Sequence, residues 1–191
     1  MAFRDFPHAN LIISNLKIKH STPVFYNESI NLSGGGLDRG LHQILGSFDI
    51  HINTSHNQKI YESFLIKTRG RLNPFYLQLG GRFASEAVGV LTKTSHTVGS
   101  TEINIDSFAG TIHDGDMFTI ANDDKIYLVM DELINSGLLT FFPALRKPIP
   151  IGAVLNFNPK MLVRLQDDTQ SIDYGQGGII HTTTLKFKEA L

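Results

Sequence analysis

The sequence predicts a mainly β protein with one α-helix, and three observations carry that expectation. Residues 102–159 read as a run of short apolar strands separated by turn dipeptides about every ten residues. Phe48, Ile50 and Ile52 alternate with Asp49 and His51, the period-two pattern of a half-buried strand. Only one stretch, near residues 56–69, carries apolar residues at helical spacing together with signals for both of its ends.

Taken in order, Leu16-Lys17-Ile18-Lys19 alternates and stops near Pro23, which predicts a first strand. Residues 31–40, with Gly34-Gly35-Gly36, read as a flexible loop. Residues 47–53 make the clearest strand. Ser55 and Gln58 match a capping box, in which a hydroxyl and an amide satisfy backbone N–H groups left over at a helix start. Ile60, Tyr61, Phe64, Leu65 and Thr68 then fall on one face, Lys67 and Arg69 suit the negative end of the helix dipole, and Gly70 supplies the stop. The expected packing contacts of this helix are Ile60, Phe64 and Leu65.

Asn73-Pro74 turns the chain into a strand at 75–79, and Gly80-Gly81 marks a break. Ile103 and Ile105 share one face of the next strand, followed by strands at 117–120, 126–130 and 138–142. Asp114-Gly115, Asn122-Asp123-Asp124 and Asn135-Ser136-Gly137 supply the turns between them. Met161, Val163 and Leu165 alternate in a further strand. A glycine-rich loop (Gly175, Gln176, Gly177, Gly178) leads to a last strand within 180–188.

Charge changes along the chain. Residues 1–87 hold nine basic and six acidic side chains, against five and eight in 88–160 and three and four in 161–191. The swing from +3 to −3 supports a segmental boundary. The expected architecture is a β-rich domain with one helix, built from 1–87 and 161–191, into which a five- or six-stranded barrel of residues 88–160 is inserted. A single continuous sandwich is the alternative.

Several function classes lose their support at this level. There are no cysteines, so disulfides, thiolate metal sites and cysteine nucleophiles are excluded together. Net charge is −1, which leaves no global basic field for nucleic acid. Residues 1–8 carry Arg4 and Asp5 and no apolar run, unlike a signal peptide, and no stretch approaches membrane-spanning length; a soluble protein without membrane insertion is expected.

The candidate chemical motifs all lack a partner element. Gly34-Gly35-Gly36 has no following Gly-Lys-Ser/Thr to cradle phosphate. His113, Asp114 and Asp116 with Asp123-Asp124 are oxygen-rich but miss calcium-loop spacing, and the eight histidines show no zinc spacing. Ser55 and His56 are adjacent without forming a triad. Asp131-Glu132 and Asp167-Asp168 have no separation that sequence can fix. Three glycosylation sequons, at Asn27, Asn31 and Asn53, read as chance matches without a secretion signal. Arg39, Arg69, Arg71 and Arg82 with Phe75 and Tyr76 could serve single-strand stacking, against a reading in which the aromatics are core. Of Phe141 and Phe142, one faces the core and the other is free for a contact. No catalytic, cofactor-binding or metal residue is assigned, and no cofactor is expected.

One longer pattern does carry a resemblance. Gly115-Asp116 opens a strand, Asp131 to Gly137 spans a glycine-containing hairpin, Pro143-Ala144-Leu145-Arg146 ends a strand, and Ile149-Pro150-Ile151-Gly152-Ala153 continues it. In this the chain resembles the distal tail proteins of tailed bacteriophages, and the likeness extends to the upstream helix and the final β segment. The resemblance implies a ring-forming β-sandwich with a helix and an inserted barrel of the oligonucleotide/oligosaccharide-binding type. It also implies a non-enzymatic virion protein, made in the host bacterial cytoplasm, that closes a self-assembled ring, expected to be hexameric, at the distal end of the tail. The implied partners are the tail tube protein and hub or fibre proteins, with DNA passing through the pore without specific binding. A carbohydrate-binding or adhesin module of a virion is the alternative function, and a nucleic-acid-binding barrel a third.

Overall fold

The computed structural model describes residues 4–31, 33–172 and 182–190. Its strands are β1 (Arg4–Asp5), β2 (Ile12–Ser21), β3 (Val24–Glu28), β4 (Gly34–Asp38), β5 (Gln43–His51), β6 (Phe75–Gln78), β7 (Glu102–Ile105) and β8 (Thr111–Ile112). These are followed by β9 (Met117–Ile120), β10 (Asp123–Val129), β11 (Leu133–Ile134), β12 (Gly137–Phe142), β13 (Leu155–Asn156), β14 (Lys160–Leu165) and β15 (Thr182–Glu189). One α-helix, α1 (Ser55–Thr68), lies between β5 and β6. The fold is mainly β, with several sheets of which one curls into a half-barrel, consistent with a β-sandwich plus a small barrel. The chain divides into two compact units, one of residues 1–22, 42–77 and 162–191, the other of residues 23–41 and 78–161.

The first unit is built on a six-stranded sheet ordered β1-β6-β14-β15-β5-β2. Strict alternation along β5 puts Ile44, Phe48 and Ile50 in the core and Asp49 and His51 on the other face. Gly46 interrupts the apolar side for a steric reason. A Cβ there would sit 2.3 Å from the Lys17 carbonyl and 2.5 Å from the Phe187 ring, so only glycine lets β2 and that ring close over β5.

Helix α1 starts one residue earlier than the capping pattern indicates. Thr54, not Ser55, is the cap: its backbone is extended and its Oγ1 accepts from the Asn57 N–H at 3.1 Å. At the other end Arg69 takes the left-handed conformation, with its N–H donating to the Leu65 carbonyl, and Gly70 follows at φ 59°. The buried stripe is Tyr61, Phe64 and Thr68, while Ile60 and Leu65 are half-buried flanks. Phe64 meets Phe75 and Phe6 edge to face, at centroid separations of 4.9 and 5.2 Å.

In the second unit a five-stranded sheet ordered β13-β9-β10-β12-β7 supplies a core that includes Ile103, Ile105, Phe118, Tyr127, Leu139 and Phe141. Bridges Leu91↔Val154, Thr92↔Ile105 and His96↔Ile149 tie the irregular segment 88–96 into it. The turns carry the expected geometry, with Gly115, Asn122 and Asn135 all at positive φ. Phe118, Tyr127 and Phe141 pack as a cluster with centroids 5.5–5.6 Å apart.

The second unit also holds the main departure from expectation. Residues 34–38, read from sequence as a flexible loop, form strand β4, which pairs antiparallel with β3 from Val24↔Asp38 to Glu28↔Gly34. The expected glycine-rich loop at 175–178 lies outside the described residues.

Candidate assembly surface

The β3–β4 hairpin is a two-stranded sheet of its own, and all ten of its strand residues are exposed. Strand β3 carries apolar side chains on both faces, and β4 adds Leu37 to one of them. Phe25 pairs across the ladder with Leu37, while Val24 and Tyr26 point the opposite way. Phe25 and Tyr26 are 62% and 65% exposed, and Ile30 at the tip is fully exposed. Isolated two-stranded hairpins are marginal in water, and exposed apolar side chains grouped this way make the hairpin the candidate contact surface of the second unit.

Local contacts explain how these residues hold the hairpin. The glycines are the platform for an aromatic ring: a Cβ on Gly34 would lie 2.0 Å from the Tyr26 hydroxyl, and one on Gly36 would touch the same ring at 3.7 Å. The Tyr26 ring therefore reaches over Gly36 to Gly34, and a side chain at 34 would displace it. The Arg39 guanidinium sits 5.1 Å from the Phe25 ring centroid. Ser29 and Ser33 close the turn through an N–H to carbonyl bond of 3.0 Å and a hydroxyl pair at 2.8 Å. A concavity of about 450 Å³ is lined by Phe25, Tyr26, Asn27, Gly35, Gly36 and Leu37.

The motifs with possible chemistry are distributed rather than gathered. Phe75 is fully buried and Tyr76 half-buried, so they form no stacking platform. Arg69 serves as the helix cap, Arg39 lies over Phe25, and Arg71 chelates Asp168 through Nε and Nη2. That guanidinium lowers the Asp168 carboxyl to about 2, first through the side-chain hydrogen bonds. Asp116 accepts from the His113 N–H at 2.9 Å, in the role of a turn former. His113 meets Glu132 at 3.0 Å, and this hydrogen bond raises the His113 pKa. Asp131 accepts from the Thr140 hydroxyl, so the adjacent acids 131 and 132 turn to different partners.

Asp123 is buried and accepts from the Tyr127 hydroxyl at 2.8 Å, and burial is the largest cause of a raised Tyr127 pKa. Among the described residues no group of three or more His, Asp or Glu side chains could hold a metal ion. Of the two adjacent phenylalanines, Phe141 is the buried one and Phe142 is half-buried.

Two polar networks created by strand register were not foreseen. On the face of β5 opposite the core, Ser14 Oγ lies 2.5 Å from His51 Nε2, and Thr182 Oγ1 lies 3.1 Å from His51 Nδ1. Beside it Asp49 accepts from Asn15 and Thr184, the Thr184 bond being the largest cause of its lowered pKa. At the start of β5, His20 Nδ1 and His42 Nε2 are 3.0 Å apart with their rings stacked. These are contacts that the register of β2, β5 and β15 brings together.

Compared with known protein-family models and with curated protein sequences, the chain matches none.

Proposed function

We propose that this chain is a structural subunit that closes into a homo-oligomeric ring, and that the ring acts as a distal tail protein does, joining a phage tail tube to a hub or host-recognition apparatus. The observation that carries the proposal is the β3–β4 hairpin, whose Val24, Phe25, Tyr26 and Leu37 present apolar surface on both faces. The occupant of that surface is a neighbouring copy. A hairpin contacting a different patch on the next copy makes a heterologous, head-to-tail contact, and such contacts generate rings when the rotation closes. The sheet of the first unit ends in two edge strands, β1 and β2, and β2 is ten residues long, so each copy also offers open ladder to a neighbour.

The work is assembly, not bond-making. Covering the remaining exposed surface of Phe25 and Tyr26 would contribute about 1–2 kcal/mol each per contact. That is small in isolation and repeated at every contact of a ring. A net charge of −1 suits a conduit, because an attractive wall would retard a passing polyanion. Negative-stain imaging of the purified chain tests the reading. Closed rings with a central hole are the expected result, lost in Phe25→Asp/Tyr26→Asp. Monomeric particles at concentrations well above the micromolar range would overturn it.

A further inference from the structure

We infer a second binding site, in the first unit and independent of the hairpin: a groove for an extended acidic peptide segment, lying between helix α1 and the edge strand β1. The groove encloses about 490 Å³. Its floor is apolar, made by Pro7, Ile60 and Phe64, and its rim is basic, carrying Arg4, Lys59 and Lys67. His56 stands at one end, in the first turn of a helix that has no acidic residue there to offset its positive pole. Asp5 is the one carboxylate of the lining. Three cations against one acid make a concentrated positive site on a chain whose net charge is −1. Lys59 and Lys67 are exposed and make no ion pair among the described residues.

Geometry selects an extended chain as the occupant. Positions 56, 59, 60, 63, 64 and 67 form one stripe of α1, and the steps from 56 to 67 rise about 16 Å. About five residues of extended peptide span that length. The opposite wall begins at β1, the terminal strand of the six-stranded sheet, bonded on one side to β6. Because β1 is only two residues long, it offers an extended peptide a short stretch of main-chain pairing, and the stripe of α1 with its cations supplies the longer wall. Here the cleft asks for an apolar side chain over Ile60 and Phe64, with carboxylates on either side facing Arg4, Lys59 and Lys67.

The test is fluorescence polarisation at low salt on the full-length chain. The probe is a labelled decapeptide of alternating Asp and Glu with one central Leu. Micromolar binding is expected, weakened about tenfold or more in Lys59→Glu/Lys67→Glu and weakened again when the central Leu becomes Gly. Amide chemical-shift mapping gives a second readout, with changes expected along residues 4–7 and 56–67. The inference is overturned by absence of binding at low salt, by binding unchanged in the double variant, or by shifts that map elsewhere. Equal or tighter binding of a single-stranded oligonucleotide would also overturn it, by making the site a general polyanion surface. A monomeric, hairpin-disrupted chain should still bind the peptide, so failure of the ring proposal and failure of this one are separable.

Discussion

Phe64→Ala tests how the first unit is held together. Phe64 is 6% exposed, and its ring stands edge-on to Phe75 and Phe6 at 4.9 and 5.2 Å. Truncation loses the transfer free energy of the ring and leaves a cavity that rigid aromatic neighbours fill only in part, together about 3–5 kcal/mol. Each lost edge-to-face pair contributes about 0.5–1.5 kcal/mol, which places the expected cost in the upper half of that range. Against a typical total stability of about 5–15 kcal/mol, this is a large fraction. The assay is urea unfolding followed by far-ultraviolet circular dichroism and by fluorescence of the five tyrosines, since the chain has no tryptophan. A loss below about 1 kcal/mol would refute the packing assigned to α1. Ile60→Ala, at a half-buried flank of the same helix, should cost clearly less.

Three further outcomes follow from individual contacts. Tyr127→Phe leaves the buried Asp123 without its hydroxyl donor and should cost about 1–3 kcal/mol of stability, read by urea unfolding. Asp168 titrates at about 2 in the folded chain against an ordinary 3.8, so its contribution is present above 3.8 and lost as pH falls toward 2; the melting temperature of Asp168→Asn should therefore fall less steeply than that of the parent across this window. His113 is raised by Glu132, so its contribution is full below its ordinary value of 6.5 and lost as pH rises through the raised one; His113→Gln should flatten the stability profile there. Duplex DNA titrated at low salt should show no micromolar affinity with a steep salt slope, because the balance of charges offers few phosphate neutralisations.

What could be read in advance divides along physical lines. Strands whose side chains alternate across a core face announce themselves. Phe48 and Ile50 in β5, and Ile103 and Ile105 in β7, are buried as their spacing requires. The turns were legible because Gly115 and Asn135 do what few other residues do easily. Helix α1 was legible in length, but its start was displaced by one residue because Thr54 and Ser55 offer the same hydroxyl, and only the backbone conformation decides between them.

The hairpin was hidden for a different reason. Gly34-Gly35-Gly36, over which the Tyr26 ring lies, has no side chains to alternate, so its pairing with β3 leaves no local pattern. The Val24-Phe25-Tyr26 run after Pro23 was the available signal. The Ser14–His51–Thr182 and His20–His42 contacts depend on register between strands far apart in sequence, which no local pattern encodes.

The central claim is that this chain assembles with itself through the β3–β4 hairpin, and native mass spectrometry of the purified protein tests it most directly. A single closed oligomer is predicted, with the hexamer implied by the resemblance as the expected mass. Phe25→Asp/Tyr26→Asp should collapse it to monomer without loss of folded β signal. A chain that stays monomeric when concentrated, or an oligomer indifferent to those two substitutions, would contradict the account.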